Sequence, residues 1–348
     1  MTTSPAWPTS GALAADVMVV GAGPAGLFQV FELGLLGFSS LVVDALPQAG
    51  GQLRALYPDK PIYDVPALRQ CTGQELVDRL LDQIQPFHTQ WALGQQVRSF
   101  AAHDPGFEVE LSNGQRHRVG ALVIAAGVGA FVHRQLDCPA LEPARGHSVF
   151  TPLPESKPSL KGQRVVVAGS GDEAVDCALA ALHGGARSVH LLHRREALDA
   201  SDAALDRLAT SSVQRLVGQV TQAKVSGAQL HALCLSRAGQ TDTWHDTDTL
   251  IECLGLVPQL GPLADWGLAM HKKQIEVAPH SMATSLPGVH AIGDMAHYAG
   301  KRKLLVSAFH EATLSAYAIA ERLSGAPVPF EYTTASARLQ ARLGVISA

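Results

Sequence analysis

The sequence predicts an α/β fold built from two Rossmann-like dinucleotide-binding domains, one inserted into the other. Two segments, residues 17–44 and 161–196, each have the pattern of a strand, a glycine-rich turn, a helix and a second strand. Two further apolar strands, residues 121–128 and 249–258, each end near a glycine, where the chain could cross between domains. These observations favour two nucleotide-binding folds in one chain.

Length and composition agree with this class. The 348 residues suffice for two domains with their own cores, and 47% are hydrophobic while 17% are charged. A net charge of −4 gives no global basic field, so nucleic acid is not expected as the main partner. The sequence has no signal-peptide pattern and no apolar run of membrane-spanning length, so we expect a cytoplasmic protein without a membrane partner. Residues 1–14 are expected to be a loose tail.

Cysteine usage points to reduced thiols. None of the five forms a C-x-x-C pair or a zinc-type spacing, and we predict buried thiols and no metal site. These residues are Cys71, Cys138, Cys177, Cys234 and Cys253.

The first glycine turn has the spacing of a phosphate cradle. Gly21 permits the turn, Gly23 lets the backbone approach a pyrophosphate, and Gly26 lets helix and strand pack closely. The helix that follows adds free N–H groups and the positive end of its dipole. Asp44 ends the next strand, where a carboxylate can accept hydrogen bonds from a ribose. Together they favour a dinucleotide site over a plain glycine corner with a surface aspartate.

The second turn differs at the residues that would read the ribose. It contains Gly169 and Gly171, and its second strand ends in His193, Arg194 and Arg195 instead of a carboxylate. Cations at this place favour a 2′-phosphate, and therefore NADP(H) over NAD(H). The alternative is a solvated basic stretch at the start of a helix.

Two dinucleotide sites in one chain suggest hydride transfer between a held and a visiting dinucleotide. Asp294 ends the apolar strand within residues 283–296, just ahead of a long amphipathic helix over 303–325. Such an aspartate can bind the ribityl hydroxyls of a flavin while the helix N-terminus faces the ring. The predicted boundaries are residues 12–125 and 260–330 for an FAD-binding domain, 126–259 for an NADP(H)-binding domain, and 331–348 for a C-terminal tail.

From residue 16 to the tail, the chain resembles the flavoproteins of the thioredoxin reductase fold, and within them the thioredoxin-reductase-type ferredoxin/flavodoxin–NADP⁺ reductases. The most specific segments are residues 46–66, 193–196, 261–268 and 298–312. A thioredoxin reductase needs a C-x-x-C disulfide ahead of the second glycine turn. Residues 144–163 fill that place without any cysteine, which argues against disulfide reduction.

The resemblance implies specific flavin contacts. Asp44, where the family usually has glutamate, would bind the adenosine ribose. Tyr57 would stack on one face of the isoalloxazine and Tyr332, in the tail, on the other, although both could be ordinary core or surface tyrosines. The remaining implied FAD contacts are Gln52, Val97 at the adenine, Phe131, Asp294, and Thr334 beside the covered face.

The family also implies how strongly NADPH is preferred. After the segment at residues 193–196 the family commonly carries another arginine or lysine that helps hold the 2′-phosphate. This sequence has three acidic residues there and no basic residue before Arg207. We therefore predict a preference for NADPH that is weaker than is usual in the family.

The resemblance implies an enzyme that passes electrons between NADP(H) and ferredoxin or flavodoxin through FAD. It also implies that this enzyme is a homodimer. The resemblance also implies that each tail of the pair closes over a flavin. No protein acid or base is expected in hydride transfer, so the stacking tyrosines are the only catalytic candidates. Ferredoxins and flavodoxins are usually acidic, and the basic run Lys301-Arg302-Lys303 could steer them. The alternative for that run is a solvated loop with some charge interaction with the flavin-facing helix.

Other functions stay open at this point. An NADPH diaphorase, quinone reductase or oxidase of the same fold would need no protein acceptor. A flavin-binding redox sensor without turnover is a second alternative. A flavin monooxygenase is a third, although a tail covering the flavin leaves little room for an organic substrate.

Overall fold

A computed structural model describes residues 15–151 and 159–346, so the stretch predicted as a loose N-terminal tail lies outside the described residues. The chain folds into two compact units. Unit one is formed by the chain up to Ala130 together with the chain from Gln259 onward, and unit two by Phe131–Pro258. Unit two is therefore an insertion in the sequence of unit one.

The secondary structure follows in chain order. The first part of unit one contains β1 Ala15–Val20, α1 Pro24–Leu36, β2 Ser40–Asp44, α2 Gly51–Ala55, β3 Pro61–Ile62, β4 Cys71–Thr72, α3 Gly73–Gln83, β5 Thr89–Leu93, β6 Val97–His103, β7 Gly106–Leu111 and β8 Arg116–Ile124. The inserted part contains β9 Ala130–His133, β10 Val149–Phe150, β11 Arg164–Gly169, α4 Asp172–His183, β12 Ser188–His193, α5 Asp202–Ala209, β13 Gln214–Val217, β14 Gln219–Ser226, β15 Gln229–Ser236, β16 Thr243–Asp246, β17 Thr249–Cys253 and β18 Leu256–Gln259. The last part contains β19 Met270–His271, β20 Gln274–Glu276, β21 Val289–Ala291, β22 Ala296–His297, α6 Leu305–Ser324 and α7 Ala337–Arg342. Short 3₁₀ turns cover Pro139–Ala144, Gly261–Asp265 and Gly293–Met295.

The main sheet of unit one is parallel where the nucleotide would bind. Strands β5, β2, β1 and β8 lie side by side in parallel, and β21 pairs in parallel with the last residues of β8. The first half of β8 instead pairs with β7 of an antiparallel β6–β7 extension. The carboxyl ends of β1, β2, β8 and β21 therefore meet at one edge, the edge where open α/β sheets bind ligands.

Helix α1 begins and ends where the sequence predicts. Pro24 occupies its first turn, where a missing N–H costs nothing, and Gly37 closes it in the left-handed region at φ 89°. Its apolar residues Leu27, Val30 and Leu33 are fully buried in a core shared with α3 and α6. Burial of such a side chain is worth about 1.5–3 kcal/mol, which fixes α1 on the sheet.

The five-stranded sheet of unit two has the order β10-β17-β11-β12-β13, all parallel. Helix α4 packs on it through Ala174, Val175 and Ala178. An antiparallel sheet of β14, β15 and β16 completes the unit.

Two predicted strands are shorter than the apolar pattern suggests. The run at 249–258 divides into β17 and β18 because Gly255 takes φ 77°, which no continuous strand accommodates. In the run at 283–296 the strand β21 covers only Val289–Ala291, since the Val289 N–H bonds back to the Leu286 carbonyl in a turn.

Candidate dinucleotide sites

The first glycine turn joins β1 to α1 at the carboxyl edge of the sheet. Gly21 has φ 114°, and a Cβ there would lie 2.4 Å from the Ala125 carbonyl oxygen. A Cβ on Gly26 would lie 1.9 Å from the Gly21 oxygen, so both glycines are required for packing. At Gly23, by contrast, the nearest atom to an added Cβ is the Gly51 Cα at 3.9 Å. The space in front of the α1 N-terminus is therefore left open at Gly23.

A second glycine-rich segment lies against this turn. The Gly50 N–H donates to the Ala22 carbonyl oxygen at 2.8 Å. Gly51 has φ 55°, and a Cβ there would come within 2.9 Å of the Gly23 Cα. The next residue, Gln52, reaches the end of β8, since a Cβ on Gly127 would lie 3.1 Å from the Gln52 side-chain nitrogen.

Asp44 binds the glycine turn itself. Its carboxylate accepts hydrogen bonds from the Ala22 N–H at 2.6 Å and from the Leu46 N–H at 2.8 Å. Burial raises the pKa of the Asp44 carboxyl group, while these two bonds lower it. Each carboxylate oxygen has a further lone pair, so the group can brace the turn and still accept a ribose hydroxyl.

Asp294 lies in the 3₁₀ turn that follows β21 and is half-buried. Gly293 has φ 70°, and a Cβ there would lie 3.2 Å from the Ala25 Cβ in the first turn of α1. This close approach places the Asp294 turn beside the first glycine turn. The two predicted FAD motifs, far apart in the sequence, thus come together in unit one.

A buried charged cluster supports the Asp294 turn, and sequence reasoning missed it. Glu311 on α6 is fully buried; it accepts hydrogen bonds from the Gly293 N–H at 2.8 Å and from the Tyr298 hydroxyl at 2.7 Å. Its carboxylate is also ion-paired with the Lys301 ammonium, which is only 5% exposed. Burial, followed by the Glu311 contact, raises the pKa of Tyr298 to about 12. The signal in the sequence that could have predicted this cluster was a glutamate among the small residues on the buried face of α6.

This cluster corrects the prediction for the basic run. A solvent-exposed position, in a docking patch or in a solvated loop, is wrong for Lys301, because its ammonium is ion-paired with the buried Glu311. The charge interaction with the helix that the alternative predicts is present in this pair, since Glu311 lies on α6. Arg302 and Lys303 are exposed.

The other implied FAD residues lie in different surroundings. Tyr57 follows α2 and is 45% exposed, with the Lys60 ammonium 5.0 Å from its ring centroid. Val97 is 3% exposed and its side chain packs in the core, so only its main chain could face a ligand. Phe131 lies in β9, but its side chain is outside the described residues.

The C-terminal tail lies away from these groups. The Arg342 guanidinium donates to the Leu35 carbonyl oxygen at the end of α1 opposite the glycine turn. Tyr332 is 68% exposed and packs edge-on against Phe330 at 4.9 Å, and Phe330 lies against Tyr317 in α6. Tyr317 is about 18 Å along the helix from the α6 N-terminus. The structure therefore does not bring Tyr332, or the exposed Thr334 beside it, to Tyr57 and Asp294 of the same chain.

The second glycine turn opens on a cleft of about 640 Å³ within unit two. All five residues predicted for NADP(H) line it: Gly169, Gly171, His193, Arg194 and Arg195. A Cβ on the first of these glycines would lie 2.3 Å from the Cys253 carbonyl oxygen. A Cβ on the second would meet no described atom within 4 Å. As in unit one, one glycine packs and the other leaves open space at a helix N-terminus.

His193 lies on the basic side of the cleft. Its Nε2 is buried and has no hydrogen-bond partner among the described residues. Burial, and then the charge of Arg195, lower the pKa of His193, which keeps its ring neutral near pH 7.

Comparison with known proteins agrees with this geometry. The family model described as pyridine nucleotide-disulphide oxidoreductase matches residues 15–313. The chain belongs to this family. Similar relatives include the protein named ferredoxin–NADP reductase of Acidovorax sp. (strain JS42), 46% identical over all of both chains. The protein of that name from Leptothrix cholodnii is 48% identical, over 97% of this chain and 93% of the relative.

Solved structures of this oxidoreductase fold also resemble the chain. T. acidophilum thioredoxin reductase is 22% identical with a TM-score of 0.55, over 88% of this chain and 98% of its own. The bacillithiol disulfide reductase of Bacillus cereus is 17% identical with a TM-score of 0.58, over 89% and 99%. These two likenesses concern the fold alone. The predicted fold class and family resemblance are confirmed.

The cysteines of this pyridine nucleotide-disulphide oxidoreductase include no C-x-x-C pair. Cys253 ends β17, where its thiol contacts that of Cys177 on α4. The hydrogen bond with Cys177, together with burial, raises the pKa of Cys253 above its ordinary value, which disfavours its thiolate.

Two further findings concern metal-binding clusters and membrane-spanning helices. Among residues 15–151 and 159–346, no group of three or more histidine, cysteine, aspartate or glutamate side chains is placed so that it could hold a metal ion. In the same ranges, every helix is too short or too polar to cross a membrane.

Proposed function

We propose that this oxidoreductase transfers electrons between NADP(H) and ferredoxin through bound FAD. The observation that carries the proposal is a pair of glycine turns whose ribose-binding positions, at the end of the next strand, have opposite charge. Asp44 presents a carboxylate in unit one, whereas His193, Arg194 and Arg195 present an imidazole and two cations in unit two. The similar relatives named ferredoxin–NADP reductase support the electron acceptor.

The residues of unit one fit FAD in a definite way. Gly23 leaves room for a pyrophosphate at the α1 N-terminus, whose free N–H groups would bind it. Asp44 would accept from the adenosine ribose and Asp294 from the ribityl chain. Gln52 and Tyr57 would contact the isoalloxazine from the neighbouring segment. When bound, FAD accepts a hydride and releases its electrons singly, which converts a two-electron donor into a source for one-electron carriers.

Unit two would hold NADP(H). Gly171 leaves the N-terminus of α4 open to the pyrophosphate, and Arg194 and Arg195 would pair with the 2′-phosphate. These contacts bind and orient the donor, and no side chain is needed to move a proton during hydride transfer.

For the protein acceptor we propose ferredoxin or flavodoxin, both acidic. Since Lys301 is buried, the exposed charges of the segment after β22 are those of Arg302 and Lys303. Electrostatic steering by these two residues would raise the rate of encounter more than the affinity.

We propose a cytoplasmic homodimer in which each tail covers the flavin of the second copy. The support is the position of the tail, whose Tyr332 is held far from Asp294 of its own chain. Large apolar side chains are exposed both at the start of α6, Leu304 and Val306, and in the tail, Phe330 and Tyr332. A dimer in which the tail of one copy lies on the start of α6 of the other would cover both sets of exposed side chains.

Turnover with different acceptors tests the proposal. Purified protein with NADPH should reduce ferredoxin or flavodoxin efficiently and should not reduce thioredoxin in the presence of dithiobis-nitrobenzoate. Efficient turnover with quinones alone would instead favour a diaphorase.

A further inference from the structure

An aspartate occupies the cationic side of the unit-two cleft. The Asp199 N–H donates to the Ser170 carbonyl oxygen at 2.9 Å, and the Ser170 hydroxyl donates to Oδ2 of Asp199 at 3.0 Å. The Arg195 guanidinium donates to the same Oδ2 at 3.0 Å. The loop after β12 is therefore folded back onto the second glycine turn, with its carboxylate on one of the two cleft arginines.

We infer that Asp199 is a specificity-determining residue: it competes with the 2′-phosphate of NADPH for Arg195 and keeps the cleft usable by NADH. The inference rests on the proposed function only in placing a pyridine nucleotide in this cleft.

The carboxylates that line the cleft belong to Asp137, Asp172, Glu173 and Asp199, and in the described ranges only Asp199 is ion-paired with Arg194 or Arg195. Asp172 also lines the cleft, but its oxygens accept from the N–H and the hydroxyl of Ser201 at 2.6 and 2.9 Å. Arg194 has no ion-pair partner in the described ranges and remains available to a phosphate. Asp199 thus removes half of the cationic charge that the two arginines would offer.

The exposure of the pair determines how it acts. The side chains of Arg195 and Asp199 are 57% and 61% exposed, so their ion pair is weak and a phosphate dianion can displace it. The displaced carboxylate nevertheless stays near the phosphate and repels it. NADH carries a hydroxyl at that position, which can donate to the carboxylate without any repulsion. Asp199 therefore disfavours the phosphorylated nucleotide and favours the other.

Nucleotide binding to the oxidised, FAD-loaded protein tests this without requiring turnover. Asp199→Asn keeps the size of the side chain and removes its charge. We expect the ratio of dissociation constants for 5′-ADP and 2′,5′-ADP to shift about tenfold toward the phosphorylated ligand. The kcat/KM ratio for NADPH over NADH should shift by a similar factor. Asp202→Asn, with the same charge change on the exposed first turn of α5, is the matched control and should shift neither ratio.

A double-mutant cycle shows whether the effect passes through Arg195. In an Arg195→Ala background, Asp199→Asn should shift selectivity by a smaller factor than in the wild-type background, since the competition for Arg195 is gone and only the direct effect of the carboxylate on the nucleotide remains. The inference is overturned if Asp199→Asn leaves both ratios unchanged, or if Asp202→Asn shifts them equally. Failure of wild-type protein to bind either ADP ligand would instead overturn the placement of a nucleotide in unit two, and with it the proposed function.

Discussion

Lys301 and Glu311 form an ion pair in the interior of unit one, with 5% and 1% of their side-chain surfaces exposed. The same carboxylate accepts from the Gly293 N–H and from the Tyr298 hydroxyl. The pair therefore ties α6 to the turn that carries Asp294. A lysine that the sequence places in a basic run is in fact part of the support for a cofactor turn.

Removal of one partner should be costly. Lys301→Ala leaves the Glu311 charge buried without its cation, and we expect the free energy of unfolding to fall by about 3–5 kcal/mol. Urea denaturation of the FAD-free protein measures this directly. Lys303→Ala, at an exposed position two residues on, should change stability by less than about 0.5 kcal/mol. Equal, small losses in both variants would show that the pair does not stabilise the turn.

The two glycines of the first turn should separate stability from cofactor binding. Gly23→Ala adds a Cβ that meets little in the protein but enters the space left for a pyrophosphate, so FAD affinity should fall at least about tenfold while the FAD-free protein keeps its stability. Gly26→Ala places a Cβ 1.9 Å from the Gly21 oxygen and should destabilise the protein itself by about 1–3 kcal/mol. Flavin fluorescence titration and thermal unfolding distinguish the two. If the Gly23→Ala protein binds FAD as tightly as wild type, the pyrophosphate of FAD does not bind at this turn.

His290 should make stability fall in mild acid. It lies in β21, 3% exposed, with its ring bonded to the Ser281 carbonyl oxygen at 3.0 Å. Burial, together with the charge of Arg322, lowers the pKa of His290 to about 4. The unfolded chain takes up the proton near pH 6.5 and the folded chain does not. Stability is therefore present above pH 6.5 and is lost as the pH falls from there toward 4.

The size of this effect can be measured against a control. Between pH 7 and 4.5, His290 should account for about 2 kcal/mol of the lost unfolding free energy. His290→Gln should flatten the profile by that amount, whereas the exposed His280→Gln should leave its slope as in wild type. A His290→Gln profile parallel to that of wild type would show that the histidine is not held neutral.

Arg302 and Lys303 should govern the salt dependence of electron transfer to the protein acceptor. Replacing both with alanine removes exposed charge without touching the buried Lys301, so the ferredoxin-linked rate should fall and its dependence on ionic strength should weaken. The NADPH-to-flavin rate should not change. Lys272→Ala/Lys273→Ala removes the same charge from the exposed turn between β19 and β20 and is the comparison. Equal effects in both double variants would indicate net charge rather than a docking patch.

The sequence predicts the parts of this protein that are local in the chain. The glycine turns, helix α1 and the C-terminal end of α6, which Gly325 closes in the left-handed region, follow from spacing and capping residues that lie within a few positions of each other. Contacts that depend on tertiary structure could not be predicted from the sequence. The Lys301–Glu311 pair depends on how the loop after β22 folds back onto α6. Likewise, the sequence shows that Asp199 is an acidic residue close to the two arginines. Its contact with Ser170 is seen only in the structure, because it depends on how the loop after β12 folds.

The position of the tail is the clearest case of this kind. Tyr332 fits a stacking role by its place in the sequence, yet Arg342 and Phe330 hold the tail beside α1 and α6. Only the placement of these helices shows that the tail is remote from Asp294 of its own chain.

Anaerobic stopped-flow absorbance tests the central claim most directly. The purified protein should carry FAD, NADPH should bleach the flavin band within the time of one turnover, and oxidised ferredoxin should restore the band. A colourless protein that takes up no FAD, or a flavin that NADPH does not reduce, would contradict the account.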